Sequence, residues 1–236
     1  MQSGLATTRA MTSIHQLHLG HVALPDSHPR AAEVSCEIYC YAIDHPDGIV
    51  VVDTGPRSGH PIIDELYAPE VISILEALER VSLDERDVVA VVNTHLHFDH
   101  CGQNTALPNA PVWVTEAELA LSTTEFYTVP EWAHIADDRL RLSNDDESIA
   151  SGVRLIHTPG HTPGHQSVAV TTAIGLEIIV GQACYTCAEY TTMAPAATDM
   201  HEPEWLSVGV ESLARLRSLN PVRAHFSHDA ITCFPI

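Results

Sequence analysis

The chain has 236 residues, an apolar fraction of 45% and a formal charge of −20. That length and composition fit one soluble globular domain with a full core, and the acidic balance argues against nucleic acid and against anionic membranes as partners. All 11 basic residues are Arg, so chemistry that needs a lysine nucleophile or a lysine Schiff base is excluded.

Met1 to Ala10 is polar and has no apolar h-region, so no signal peptide is read there. Residues 1–13 read as a flexible tail and 14–236 as a single domain. Ile14 to Leu19 and Cys36 to Ile43 alternate as strands do, on either side of the loop Pro25 to Arg30. Gly48 to Val52 is a buried strand that ends in the turn Asp53-Thr54-Gly55. Val71, Ile74, Leu75 and Leu78 recur with the period of a helix over Val71 to Val81. Asp87 to Asn93 is β-branched and short, which predicts a buried strand, and it runs straight into Thr94-His95-Leu96-His97-Phe98-Asp99-His100.

Pro111 to Val114 reads as a short strand and Glu116 to Leu121 as the start of a helix. Ser122 to Asp137 carries Phe126, Tyr127 and Trp132 around Pro130 without periodicity, as either the cap of a pocket or packed surface. Val153 to His157, Gln166 to Thr172 and Leu176 to Val180 are strands. Glu204 to Leu219 is a helix opened by Pro203, and a last strand, Val222 to Phe226, delivers Ser227-His228-Asp229. No run is long and apolar enough to span a bilayer. The six cysteines (Cys36, Cys40, Cys101, Cys184, Cys187, Cys233) are too few and scattered for a disulfide scaffold. A reduced, cytoplasmic protein is expected, with Cys184-x-x-Cys187 a chance or core pair. Strands in both halves with helices interspersed predict a sheet sandwich with helices outside.

The His-x-His-x-Asp-His run places four potential metal ligands within six residues at the end of a strand. Imidazole suits zinc, and carboxylate suits zinc, iron or manganese. A polar loop with coincidental histidines would account for one such residue but not for this set. Other strand ends add Asp53, His161 (in a turn stiffened by two prolines and two glycines), Gln182 and His228.

With these motifs the chain resembles the metallo-β-lactamase superfamily from about Val50 to Asp229. The resemblance implies an α+β fold, an αββα sandwich of two mixed β-sheets flanked by helices. It makes His95, His97 and His161 the ligands of one metal, and Asp99, His100 and His228 those of a second. It also makes Asp53 an outer support of the site and His165 structural, and leaves His157 open. The nearest subgroup is the N-acyl homoserine lactone lactonases, on His95-Leu96-His97-Phe98-Asp99-His100, Gly164-His165-Gln166-Ser167 and Tyr185. In that subgroup the tyrosine hydrogen-bonds the substrate carbonyl or its leaving oxygen.

The bridging position, Asp in the dinuclear members, is Gln182 here, and a neutral amide is a weak ligand or none. Three outcomes stay open: two metals with a loosened second site, one metal at His95, His97 and His161, or a site that no longer catalyses. The implied activity is hydrolysis of a lactone or related ester by a zinc-supplied hydroxide, with catalytic roles for Asp99 and Tyr185; iron or manganese is the alternative metal. A packing role for Tyr185 is the rival reading. A thioesterase or a lactone hydrolase of a biosynthetic pathway is the nearest other activity, and a catalytically dead small-molecule scaffold the reading from another class. The partner expected is a small ester or lactone, with no nucleic acid and no membrane. An aromatic loop on an acidic protein would suit a homodimer contact.

Overall fold

Two β-branched runs pair as parallel strands: Gly48 to Val52 is buried along its length, and Val88 to Val92 is buried at every position but Val89. Continuous apolar strands of this kind need cover on both faces, and the rest of the chain supplies it. The computed structural model describes residues 11–143, 146–197 and 203–234.

In chain order the first half contains β1 (Ser13–Ala23), β2 (Ser35–His45), β3 (Gly48–Val52), α1 (Pro61–Tyr67), β4 (Glu70–Val71), α2 (Ile74–Arg80), β5 (Val88–Val92), α3 (Phe98–Cys101), β6 (Val112–Val114), α4 (Glu116–Leu121), α5 (Pro130–Ala133) and β7 (Leu140–Leu142). The second contains β8 (Glu147–Ala150), β9 (Val153–His157), β10 (Gln166–Thr172), β11 (Gly175–Gly181), α6 (Cys187–Thr192), α7 (Pro203–Ser218), β12 (Arg223–Phe226) and β13 (Asp229–Cys233). The strand order is β4-β1-β2-β3-β5-β6-β7 in one sheet and β13-β12-β11-β10-β9-β8 in the other, and both sheets are mixed.

Alternation along the strands divides the core. Val50 and Val52 face inward with Tyr41, Ile43 and Val92, meeting Leu155, Val168, Val170 and Ile179 of the second sheet. Ile49 and Val51 face outward against Ile74, Ala77 and Leu78 of α2. On the far side Ile156, Ile178 and Val180 pack under Tyr190 of α6 and Leu213 and Leu216 of α7. The result is the expected helix–sheet–sheet–helix sandwich.

Several expectations need correction. The helix read over Val71 to Val81 is β4 followed by α2, because Ser73 caps the helix by accepting from Leu75 N–H and fixes its start at Ile74. β12 is not the last strand: β13 folds back antiparallel to it, pairing Phe226 with Asp229 and Ala224 with Cys233. α1, β7, β8 and α6 carry no periodic apolar signal, so the sequence pattern does not reveal them. The tail read over 1–13 lies outside the described residues as far as Ala10, and β1 already begins at Ser13. Cys187 is not a chance cysteine. It forms a disulfide with Cys233, the Cα atoms 5.3 Å apart, because the start of α6 packs on β13. The other four cysteines are free and buried. Among the described residues no helix is long and apolar enough to cross a membrane.

Candidate metal centre

The strand ends that meet at one edge of the sandwich carry the functional side chains. β5 leads into Thr94 to His97, β3 leads into Asp53, and the β9–β10 connection presents His161. β11 is followed by Gln182, and the β12–β13 turn presents His228. Two groups of three donors form, His95 with His97 and His161, and Asp99 with His100 and His228, and within each group the ligand atoms lie within 4.8 Å of one another. These are the two sets that the family resemblance implies.

Outer partners fix the tautomers. Asp53, in the left-handed region at φ 60° where Asp is among the residues best tolerated, is buried behind the site. Its Oδ2 lies 2.8 Å from His100 Nδ1 and accepts from Thr94 Oγ1 at 2.8 Å, while Oδ1 accepts from Thr94 N–H at 2.7 Å. With its proton given to Asp53, the Thr94 hydroxyl oxygen accepts from His95 Nδ1 at 3.1 Å. His161 Nδ1 meets the Ala197 carbonyl at 2.7 Å, and His228 Nδ1 meets that of Glu37 at 3.0 Å. Each of these four rings therefore holds a proton on its outer nitrogen and turns Nε2 inward, as ligand imidazoles do.

The inner nitrogens then crowd together. His95 Nε2 lies 3.0 Å and His161 Nε2 3.1 Å from His97 Nδ1. One proton on His97 can satisfy only one of the two facing lone pairs, so a shared cation is what completes the set. Burial first, then the neighbouring imidazoles of His100, His97 and His161, holds His95 well below the usual histidine range, so its lone pair is free at neutral pH. In the second group burial lowers the His100 pKa, yet Asp99 and Asp53 outweigh it and raise it to about 9, so a cation that binds there displaces a proton from Nε2. His100 Nε2 is 3.5 Å and His228 Nε2 4.0 Å from Asp99 Oδ2. The donor chemistry fits divalent metal at the first group, which has three neutral nitrogens, and at the second, which has one carboxylate and two nitrogens.

Gln182 Oε1 points into the second group, 2.8 Å from His100 Nε2 and 3.0 Å from His228 Nε2. It occupies the bridging place but brings no charge. Its backbone N–H donates to His165 Nε2 at 3.0 Å, and His165 Nδ1 is held by Thr158, so His165 serves the backbone rather than the centre. Gly181 has φ +66°, and a Cβ there would come within 2.8 Å of His165 Nε2 and 2.9 Å of Thr94, so only glycine lets Gln182 reach this position. His157 faces the Pro163 carbonyl at 3.2 Å and belongs to neither group.

A cavity of about 540 Å³ opens onto both groups, reached by His97, Asp99, His161, Gln182, Tyr185 and His228. Its wall is largely apolar, from Val22, Leu24, Ile62, Ile63, Leu66, Tyr67 and Phe98, and residues 123–130 line one side. Of the segment read as either cap or packed surface, residues 123–130 are thus cavity wall, and the Tyr127 ring lies tilted against His97 with centroids 4.7 Å apart. Tyr185 is buried, its ring centroid 5.1 Å from that of His228, and burial chiefly raises its pKa above the ordinary tyrosine value. Its hydroxyl keeps its proton and can donate.

Sequence reasoning missed two supports. Arg30 lays its guanidinium over the Tyr185 ring, 4.2 Å from the centroid, and pairs with Glu189 and Glu33. Glu189 in turn accepts from the backbone N–H of Tyr185 at 2.7 Å and Thr186 at 3.1 Å in a capping box that starts α6. The Thr186-Cys-Ala-Glu189 spacing was the available signal. The other is Glu118, whose Thr115-Glu-Ala-Glu118 pattern reads as a helix cap and so hides its role.

The metallo-beta-lactamase superfamily profile matches residues 35–228. An N-acyl homoserine lactonase of Bacillus thuringiensis is 29% identical over 207 residues, 81% of each chain. An N-acyl homoserine lactonase of a Bacillus species is 30% identical over 210 residues, again 81% of each. Among solved structures, an N-acyl homoserine lactone hydrolase carrying N-hexanoyl-L-homoserine at its catalytic metal center superposes with a TM-score of 0.76 at 25% identity, covering 92% of this chain and 93% of that one.

Proposed function

The chain belongs to the metallo-beta-lactamase superfamily, and from that membership we propose that it is a zinc-dependent lactonase that opens N-acyl homoserine lactones, a quorum-quenching activity. The observation that carries this reading is the apolar cavity of about 540 Å³ whose floor is the two donor groups and Tyr185. An acyl chain gains from an apolar wall, roughly 25 cal/mol for each Å² removed from water, while a lactone head needs the polar floor.

His95, His97 and His161 would hold one ion, and Asp99, His100 and His228 the second, with Gln182 a weak or non-ligating neighbour. Zinc held there would supply a Lewis acid for the ester carbonyl and a water acidic enough to give hydroxide near neutral pH. The Tyr185 hydroxyl donates a hydrogen bond to the oxygen on which charge develops, held in place by the Arg30 guanidinium over its ring. The Asp99 carboxylate orients the attacking water, takes its proton and passes it to the ring oxygen as the acyl–oxygen bond breaks. Water is thereby added across the ester, leaving an open-chain hydroxy acid.

The single domain of 14–236 would work as a small-molecule enzyme in the cytoplasm; the Cys187–Cys233 bridge is the feature that an oxidising compartment would favour. The test is proton release from N-acyl homoserine lactones by the protein as purified, after chelation, and after zinc is restored. Hydrolysis that disappears on chelation and returns with zinc is expected. A metal-loaded protein that leaves the lactones intact but cleaves thioesters would replace this reading with the thioesterase. A metal-free, inactive chain that still binds the lactone would replace it with the scaffold.

A further inference from the structure

Glu118 lies at the third position of α4, fully buried, and is no part of either donor group. Its Oε2 accepts from Leu96 N–H at 3.1 Å and from the Tyr127 hydroxyl, and its Oε1 accepts from Gly164 N–H at 3.1 Å and from the Thr162 hydroxyl. All four partners are donors and none is a cation. A buried carboxylate without a cation is costly unless it is fully hydrogen-bonded, and here three of its four donors belong to the ligand-bearing loops. Leu96 stands between His95 and His97, and Thr162 follows His161.

The helix start does not explain the arrangement. Thr115 Oγ1 accepts from Glu118 N–H at 3.3 Å and donates to the Gly164 carbonyl at 2.8 Å, so the end of α4 is itself fastened to the His161 loop. A Cβ on Gly164 would lie 2.3 Å from Thr115 Oγ1 and 2.7 Å from Glu118 N, so this close approach requires glycine. Resting on the metal-dependent reading above, we propose that Glu118 is the positioning residue of the first donor group: its carboxylate clamps the His95–His97 and His161 loops to each other and to Tyr127 of the cavity wall. The clamp holds three inner nitrogens at 3.0–3.1 Å, and it stands a negative charge behind a donor group that has none of its own. Through Tyr127 the same carboxylate joins the metal loops to the wall that meets substrate.

Cobalt(II) titration of the metal-free protein tests this, read by d–d absorption and by competition with a chelator. The chains compared are wild type, Glu118→Gln and Tyr127→Phe, each with the melting temperature of its metal-free form as control. In Glu118→Gln one end of the side chain becomes a donor facing donors. The expected result is cobalt bound about 10- to 100-fold more weakly, the usual effect of losing an outer partner, with altered absorption. Tyr127→Phe keeps the ring on His97 and removes one donor, and should weaken cobalt about 2- to 10-fold. A role confined to folding would lower the melting temperature while leaving cobalt affinity and absorption of the folded chain at wild-type values, and that result overturns the inference. Should Glu118→Gln fail to fold, unchanged cobalt affinity in Tyr127→Phe overturns it, and the weaker binding supports it. A wild-type chain that takes up no cobalt overturns the metal reading and the inference together, whereas normal wild-type uptake with two unaltered variants overturns the inference alone.

Discussion

Asp53→Asn is the substitution whose outcome the hydrogen-bond geometry fixes most tightly. Asn tolerates the φ of 60° at this position, so the backbone should stay and only the chemistry should change. The amide oxygen can still accept from Thr94 N–H, which places the NH₂ where Oδ2 now meets the Thr94 hydroxyl and His100 Nδ1. Two donors would then face each other unless His100 moves its proton to Nε2. That proton would point at Gln182 Oε1, now 2.8 Å away, and remove a lone pair from the second group. The Thr94 hydroxyl, no longer donating to a carboxylate, loses its reason to accept from His95, so the first group weakens too. Loss of a charge-assisted bond to a buried group should cost roughly 1.5–3 kcal/mol of stability, and loss of the outer partner about 10- to 100-fold in affinity at the second group. Elemental analysis and chelator competition on wild type and variant, with melting curves for both, provide the measurement. Metal content and affinity within twofold of wild type would refute the argument that Asp53 sets these tautomers.

Three further outcomes are expected. Gln182→Asp restores a charged oxygen between the donor groups and should raise metal content towards two per chain; two equivalents in both proteins would show that the amide never weakened the second site. Tyr185→Phe should lower turnover by about 10²–10³ if the hydroxyl stabilises developing charge, with metal content unchanged, whereas His97→Ala should lose both, and full activity in the phenylalanine variant removes Tyr185 from the mechanism. Reduction of the Cys187–Cys233 bridge, which closes a loop across a sequence separation of 46, should cost up to about 4 kcal/mol on the chain-entropy account. A melting temperature that ignores reductant would mean the bridge is not formed in solution.

Much of the centre was legible because ligand chemistry is local in sequence. His95, His97, Asp99 and His100 fall within six residues behind a strand whose β-branched residues announce it. His161 stands in a turn whose prolines and glycines mark it, and the strands that precede Gln182 and His228 are apolar runs of the same kind. Buried strands and α7 were readable for the same reason, since their apolar pattern is what buries them. β4, β7, β8 and α1 were not, because short edge strands and a helix with a single buried residue leave little periodicity.

The sequence by itself therefore determined the donor types, their order along the chain and the layered sandwich that would bring them together. Only the tertiary structure decided which groups stand behind them. Asp53 meets His100 across 47 residues, Glu118 meets Leu96 across 22 and Thr162 across 44, and Cys187 meets Cys233 across 46. Such contacts have no spacing rule, because they follow from how two sheets and their loops close on each other. A carboxylate at a helix start or a strand end looks alike in sequence whether it caps a backbone or clamps a metal-binding loop.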